Sequence, residues 1–226
     1  MINDACILQH VYANTFGSLG IPASAFNNML RMTYLRHSAY AVNHHMDYYN
    51  IQGDTHPEML SEAGDWAKVG LIYEALEKGY EYVFWIDADA GIVDMDVDLR
   101  EAVKDCEWGA CVHDPAKSKF LQQAKIDKHI NVGCMYLRNT PATKAFTEMW
   151  LNTYPGVNRW AEQGSFNQMV KEYPDIVTVI DDKWNATVNV NMVKNPVVMA
   201  WHGLPLSERY RQMRDVFYFD YERYRP

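Results

Sequence analysis

The chain has 226 residues, of which 48% are hydrophobic, a balance that excludes global disorder and supports a sizeable core. Its 29 acidic residues against 21 Lys and Arg give a formal net charge of -8, which argues against a dedicated nucleic-acid binder. In chain order, "ACILQHVY" (5–12) predicts a first strand. "SAFNNMLRMTYLRHSAYAVNHH" (24–45) predicts a helix capped by Ser24, with Met29, Leu30, Met32, Leu35 and Ala39 on its apolar stripe. His44 and His45 then fall at its end as surface residues. "MDYYNIQ" follows as a second strand. "DWAKVGLIYEALEKGY" (65–80) predicts a helix that starts at Asp65, buries Trp66, Val69, Ile72, Tyr73 and Leu76, and stops at Gly79.

The run "YVFWI" (82–86) is fit for a buried strand. "WGACVHD" (108–114) and "NVGCMYLRN" (131–139) predict further strands, then "PATKAFTEMWLNTY" (141–154) and "QGSFNQMVKEY" (163–173) predict helices. "DIVTVID" (175–181), "ATVNVN" (186–191) and "PVVMAWH" (196–202) read as strands, and 205–226 as a C-terminal packing or interaction helix. No repeat or low-complexity linker divides the chain, so one domain over 1–226 is expected. The alternation predicts an α/β fold: a mainly parallel central sheet with helices on both faces. Cys6, Cys106, Cys111 and Cys134 form no CxxC pair and read as reduced core thiols. "MINDACILQHVYANTF" has no basic, apolar leader, and no apolar run reaches bilayer length. A cytoplasmic protein without a membrane span is the resulting expectation.

The strand 82–86 ends in "DADAG". Ligands bind at the carboxyl ends of strands in such sheets, and Asp87 and Asp89 stand there one residue apart. Two carboxylates on one turn repel unless a cation sits between them or one is protonated. A hard divalent ion, Mn²⁺ or Mg²⁺, suits oxygen ligands and would bridge an acidic chain to an anionic substrate. Two further D-x-D pairs, Asp94/Asp96 and Asp96/Asp98, lie in a polar stretch and read as a solvated turn capping a helix. An EF-hand reading of "DADAGIVDMDVD" fails because its glycine is at loop position 5, not 6, and position 12 is Asp.

"WAKVGLIYEALEKGYEYVFWIDADAGIVD" resembles the helix–strand–DxD segment of nucleotide-sugar glycosyltransferases with the Rossmann-like GT-A fold. The likeness is to the retaining galactosyl-, mannosyl- and xylosyltransferase family of the fungal α-mannosyltransferase and plant α-xylosyltransferase type. "NVGCMYLRNTPATKAFTEMW", "AEQGSFNQM", "DDKWNATV" and "VVMAWHGLP" follow in the family's order. The resemblance implies a hexosyl- or pentosyltransferase that takes a nucleotide-diphosphate sugar as donor and a glycan or other hydroxyl as acceptor. It implies a metal site of Asp87, Asp89 and His202. Lys68, Asp87, Ala88, Asp114, Asn131 and Gly133 would contact the donor.

It also implies that Gln163, beside Glu162, faces the anomeric carbon opposite the leaving group. A glutamine is a poor nucleophile but stabilises a developing oxocarbenium charge, so front-face transfer with retention is expected, the diphosphate accepting the acceptor's proton. Where the family often shows two acidic residues before the glutamine, this chain has Ala161 and Glu162. Glu162 therefore stands as an alternative nucleophile. The competing readings are an inverting transferase with Asp114 or Glu162 as base, including one acting on modified DNA bases, and a non-catalytic nucleotide-sugar-binding module.

Overall fold

The structure, a computed structural model, describes residues 3–11, 23–53, 66–113, 129–154 and 161–223. Its main sheet has the order β2-β1-β3-β6-β5-β7, built from β1 (Ala5–Val11), β2 (Met46–Gln52), β3 (Tyr82–Ile86), β5 (Trp108–His113), β6 (His129–Arg138) and β7 (Thr178–Val179). β1 pairs parallel with β2 and β3, and β5 pairs parallel with β7. Only β6 runs against its neighbours β3 and β5. The expected, mainly parallel α/β sheet is therefore present, with one reversed strand that brings its own start beside the end of β3. A second sheet, β4-β9-β8, joins β4 (Ala90–Ile92), β9 (Val198–Ala200) and β8 (Ala186–Thr187).

Period-two alternation sends apolar side chains to both faces, as a strand covered on both sides requires. Cys6, Leu8, Val83, Trp85, Met135 and Leu137 face one way, against α2 (Ala67–Glu77), α3 (Pro141–Leu151) and α4 (Ala161–Glu172), and meet Val69, Ile72, Phe146, Trp150 and Phe166. Ala5, Ile7, Phe84, Ile86, Cys134 and Tyr136 face the other way, toward Tyr40 and Ala41 of α1 (Ala23–Asn43) and Trp184. Each large side chain so buried contributes on the order of 2 kcal/mol.

Local signals behave as their chemistry demands. α2 ends where Gly79 takes φ 90°, its N–H reaching Leu76 O and that of Tyr80 reaching Ala75 O. The expected cap Asp65 lies outside the described residues. Thr140 caps α3 by accepting from Thr143 N at 3.1 Å, with Pro141 in the first turn.

Other expectations need correcting. α1 stops at Asn43, and His45 is left-handed at φ 53°. Leu35 is 61% exposed, because the buried face of α1 runs through Met29, Leu30, Thr33, His37 and Tyr40 instead. His44 is not a free surface residue: it stacks on Tyr40 and its Nε2 meets Met95 O at 2.9 Å. "ATVNVN" forms only the two-residue β8. Thr187 O accepts from Val190 N and Asn191 N, and Asn189 turns at φ 63°. "DIVTVID" likewise forms only the two-residue β7, Thr178 and Val179, both exposed at the sheet edge, with Ile180 N–H also reaching Ala110 O at 3.0 Å. The C-terminal helix α5 (Leu206–Arg223) packs through Met213 and Phe217 onto Trp201 and Met29.

Among the described residues no helix is long and apolar enough to cross a membrane.

Candidate active site

The turn after β3 is pinned by its backbone. Asp87 N–H extends the ladder to Gly133 O at 2.7 Å, Ala90 N–H closes the turn onto Asp87 O at 3.0 Å, and Trp201 N–H reaches Asp89 O at 2.9 Å. From below, Gln9 Nε2 donates to Asp87 O at 3.3 Å. Gln9 Oε1 in turn accepts from Tyr48 OH at 2.7 Å and lies 2.9 Å from His37 Nδ1. His37 Nε2 accepts from Ile92 N–H, so the ring is neutral with its proton on Nδ1. Burial pushes its pKa down to about 3. Ala88 is buried against Val11 and Leu30.

Protein cations already meet both carboxylates. Lys68, only 6% exposed, places Nζ 3.1 Å from Asp87 Oδ1 and 3.1 Å from Glu162 Oε1. It is a buried bridge and not a solvated lysine. Trp85 Nε1 adds a 2.7 Å bond to Asp87 Oδ1. Asp89 Oδ2 accepts from Arg209 Nη1 of α5 at 2.7 Å, both groups being buried. Burial pushes the Asp89 carboxyl up to about 6, Arg209 opposing this and Asp87 adding to it. Trp66 is a core residue, fully buried and edge-on to Tyr154.

Beside this turn, the reversed β6 and the first turn of α4 form a clamp. Gln163 Oε1 accepts from Val132 N–H at 3.1 Å and from Asn131 Nδ2 at 3.3 Å. Gln163 Nε2 donates to His129 Nε2 at 2.8 Å, which requires a neutral imidazole, and burial lowers the His129 pKa. Asn131 Oδ1 accepts from Gly133 N–H at 2.9 Å and from Asn185 Nδ2 at 2.8 Å. A Cβ on Gly133 would lie 2.8 Å from Asn131 Oδ1 and 3.1 Å from Asp87 Oδ2, so glycine keeps the carboxylate in place. Trp150 Nε1, donating to Glu162 O at 2.9 Å, ties the clamp to the aromatic core.

His202 follows β9, partly buried, with Nε2 3.2 Å from Thr187 Oγ1. Burial first, then Arg209 and Lys68, push its pKa down to about 3, so the ring is neutral. Two carboxylates and a neutral imidazole suit a hard divalent ion in donor chemistry. Among the described residues, however, no three His, Cys, Asp or Glu groups stand close enough to form a finished cation cage. Asp114 lies outside the described residues.

Several site groups escaped the sequence reading. Arg209 is one of several arginines on an amphipathic helix, 120 positions from its partner. Gln9, Thr33 and His37 are polar residues inside apolar patterns, for which only their interruption of the stripe is a signal. His129 lies two residues before the "NVGC" motif, and Asn185 sits within "DDKWNATV", a motif already noticed. The later acids are local: Asp94 Oδ1 accepts from Asp96 N–H at 3.0 Å, and Asp98 caps the turn 99–103 through Arg100 N–H at 2.8 Å. Asp94→Asn and Asp96→Asn should therefore change turnover by less than about twofold in a steady-state assay, since surface changes of this kind cost within ~0.5 kcal/mol.

A mainly parallel α/β sheet, with acids at the end of β3 and a polar clamp at the start of β6, defines a GT-A nucleotide-sugar glycosyltransferase. A family model described as nucleotide-diphospho-sugar transferase matches residues 65–195, and the chain belongs to that family. A second model, the galactosyl transferase GMA12/MNN10 family, matches residues 17–108. Among curated proteins none matches the chain in sequence.

Solved structures show the same fold. A glycosyltransferase involved in the glycosylation of the major capsid of PBCV-1 matches with TM-score 0.62 and 17% identity, over 93% of this chain and 98% of that one. Galactosyltransferase LgtC, in complex with donor and acceptor sugar analogs, matches with TM-score 0.55 and 13% identity, over 93% and 95%. Mouse xyloside xylosyltransferase 1 in its apo form matches with TM-score 0.52 and 11% identity, over 88% and 98%.

Proposed function

We propose that this chain moves a sugar from a nucleoside-diphosphate donor to a glycan or other hydroxyl acceptor with retention of anomeric configuration. A divalent ion, Mn²⁺ or Mg²⁺, would be held by Asp87, Asp89 and His202. The observation that supports this reading best is the meeting of four segments: the first turn of α2, the end of β3, the start of β6 and the start of α4. They gather Asp87, Lys68, Glu162, Gln163, Asn131 and Gly133 into neighbouring hydrogen-bonded sets. When bound, the ion would supply positive charge against the departing diphosphate.

The residues divide the remaining work. Lys68 fixes Asp87 and adds a cation at the donor's edge. Asn131, Gly133 and Ala88 would border the donor sugar, glycine allowing close approach to the backbone. In the transfer, the bond from the anomeric carbon to the diphosphate oxygen breaks and its electron pair leaves with the diphosphate. The acceptor oxygen bonds to the same face, and its proton passes to the departing diphosphate oxygen. Gln163 faces the other side. Its neutral amide is a poor nucleophile, and two N–H donors on Oε1 hold its dipole in a fixed orientation. Glu162, whose carboxylate is engaged by Lys68, serves as the counter-ion that holds the lysine.

Proton NMR of the product made from an α-configured donor tests the stereochemistry directly. An α-linked product is expected; a β-linked product would end the retaining assignment.

A further inference from the structure

Arg209 takes no part in the proposed transfer, yet it is among the most deeply buried charges of the described residues. Its side chain is 4% exposed. Nη1 donates to Asp89 Oδ2 at 2.7 Å and Nη2 to the Leu204 carbonyl at 3.1 Å. Nε, equally buried, has no partner among the described residues. The guanidinium is therefore short of acceptors, while the carboxylate it holds belongs to the D-x-D pair. Its helix is wedged in place as well. Phe217 of α5 lies so close to Gly91 that a Cβ there would come within 2.5 Å of its ring.

We propose that Arg209 is a built-in counter-ion that occupies Asp89 until a divalent ion and a diphosphate arrive together, an inference that rests on the metal-dependent reading above. An ion on Asp89 Oδ2 would compete with the guanidinium there, because two cations beside one buried oxygen repel each other. Ion capture through that oxygen must release Arg209, which would leave a buried cation without its partner, an unfavourable state. A diphosphate offers the released guanidinium new, negatively charged oxygens that can accept in bidentate geometry. Ion and diphosphate then promote each other's binding by the same factor, as linkage requires. The D-x-D turn stays neutralised when empty, and an ion alone is held weakly.

Calorimetric titration of Mn²⁺ into the full chain tests this, with the wild type compared to Arg209→Met and Arg209→Lys. The methionine variant should bind Mn²⁺ alone at least about tenfold tighter than wild type, one such factor corresponding to ~1.4 kcal/mol. The lysine variant keeps the positive charge but loses the planar fork, and should show part of the gain, which separates contact from long-range field. In wild type, saturating Mn²⁺ with UDP or GDP should speed amide exchange across residues 206–213, a readout that needs no variant. Equal or weaker Mn²⁺ binding by both variants, with no exchange change in wild type, overturns the counter-ion role and leaves the metal reading standing. Absence of Mn²⁺ binding by every form, with or without UDP or GDP, overturns both.

Discussion

Asp87→Asn should lower glycosyl transfer by at least about a hundredfold while leaving the fold almost unchanged, the loss expected when a preorganised charge is removed from a reacting centre. The stability expectation follows from the partners: Lys68 keeps Glu162 at 3.1 Å and a contact of 3.4 Å to Val132 O when Asp87 loses its charge. The neighbouring acid is different. Asp89→Asn strips the buried Arg209 of its carboxylate, and removing one partner of such a pair costs about 3 to 5 kcal/mol. For a chain of this size that lowers Tm by roughly 10 °C. Thermal denaturation alongside the activity assay separates the two. A Tm loss at Asp87→Asn as large as that at Asp89→Asn would show that the charge partners are wrongly assigned.

Gln163→Ala should reduce kcat by on the order of a hundredfold with little change in donor affinity, because its interaction strengthens only as charge develops on the sugar. A rise in KM with kcat unchanged would mean that the amide merely holds the donor. Gln163→Glu is the sharper variant. A carboxylate there keeps the acceptor role toward Val132 N–H and Asn131 Nδ2, but His129 must then turn from acceptor to donor, with a proton on Nε2. The His129 pKa should rise relative to wild type, and mass spectrometry of the variant with donor should detect a covalent glycosyl-enzyme if the geometry suits a nucleophile.

The first half of the fold was legible because local and tertiary demands agree there. "ACILQHV", "MDYYNIQ" and "YVFWI" are strands, and the helix of Trp66 to Gly79 carries its own stop signal. α1 was legible as a helix but not in its orientation. Its stripe counted Leu35 and missed Thr33 and His37, which are buried because Gln9 and Ile92 N–H satisfy them. A hydrophobic pattern cannot register a polar group whose partners arrive from another strand. The reversal of β6 was likewise hidden: strand direction is a property of pairing, and "HINVGCMYLR" reads the same either way.

In the site, the D-x-D turn announced itself through its strand. The two cations that neutralise it did not. Lys68 was marked by the family resemblance as a donor contact and not as a partner of Asp87, and Arg209 lay in a tail rich in arginine. Charge compensation across 120 positions leaves no mark on local composition. "ATVNVN" failed for the opposite reason. Its alternation is genuine, but Asn189 turns the chain at φ 63°, a conformation asparagine tolerates better than most residues.

The most direct measurement of the central claim is nucleoside diphosphate released when the purified chain meets a panel of UDP- and GDP-sugars, with Mn²⁺ and with EDTA. Release is expected from at least one donor in Mn²⁺, and it should be lost in EDTA and in Asp87→Asn. Full release in EDTA, or no release from any donor while Mn²⁺ and nucleotide leave the melting temperature unmoved, would contradict it.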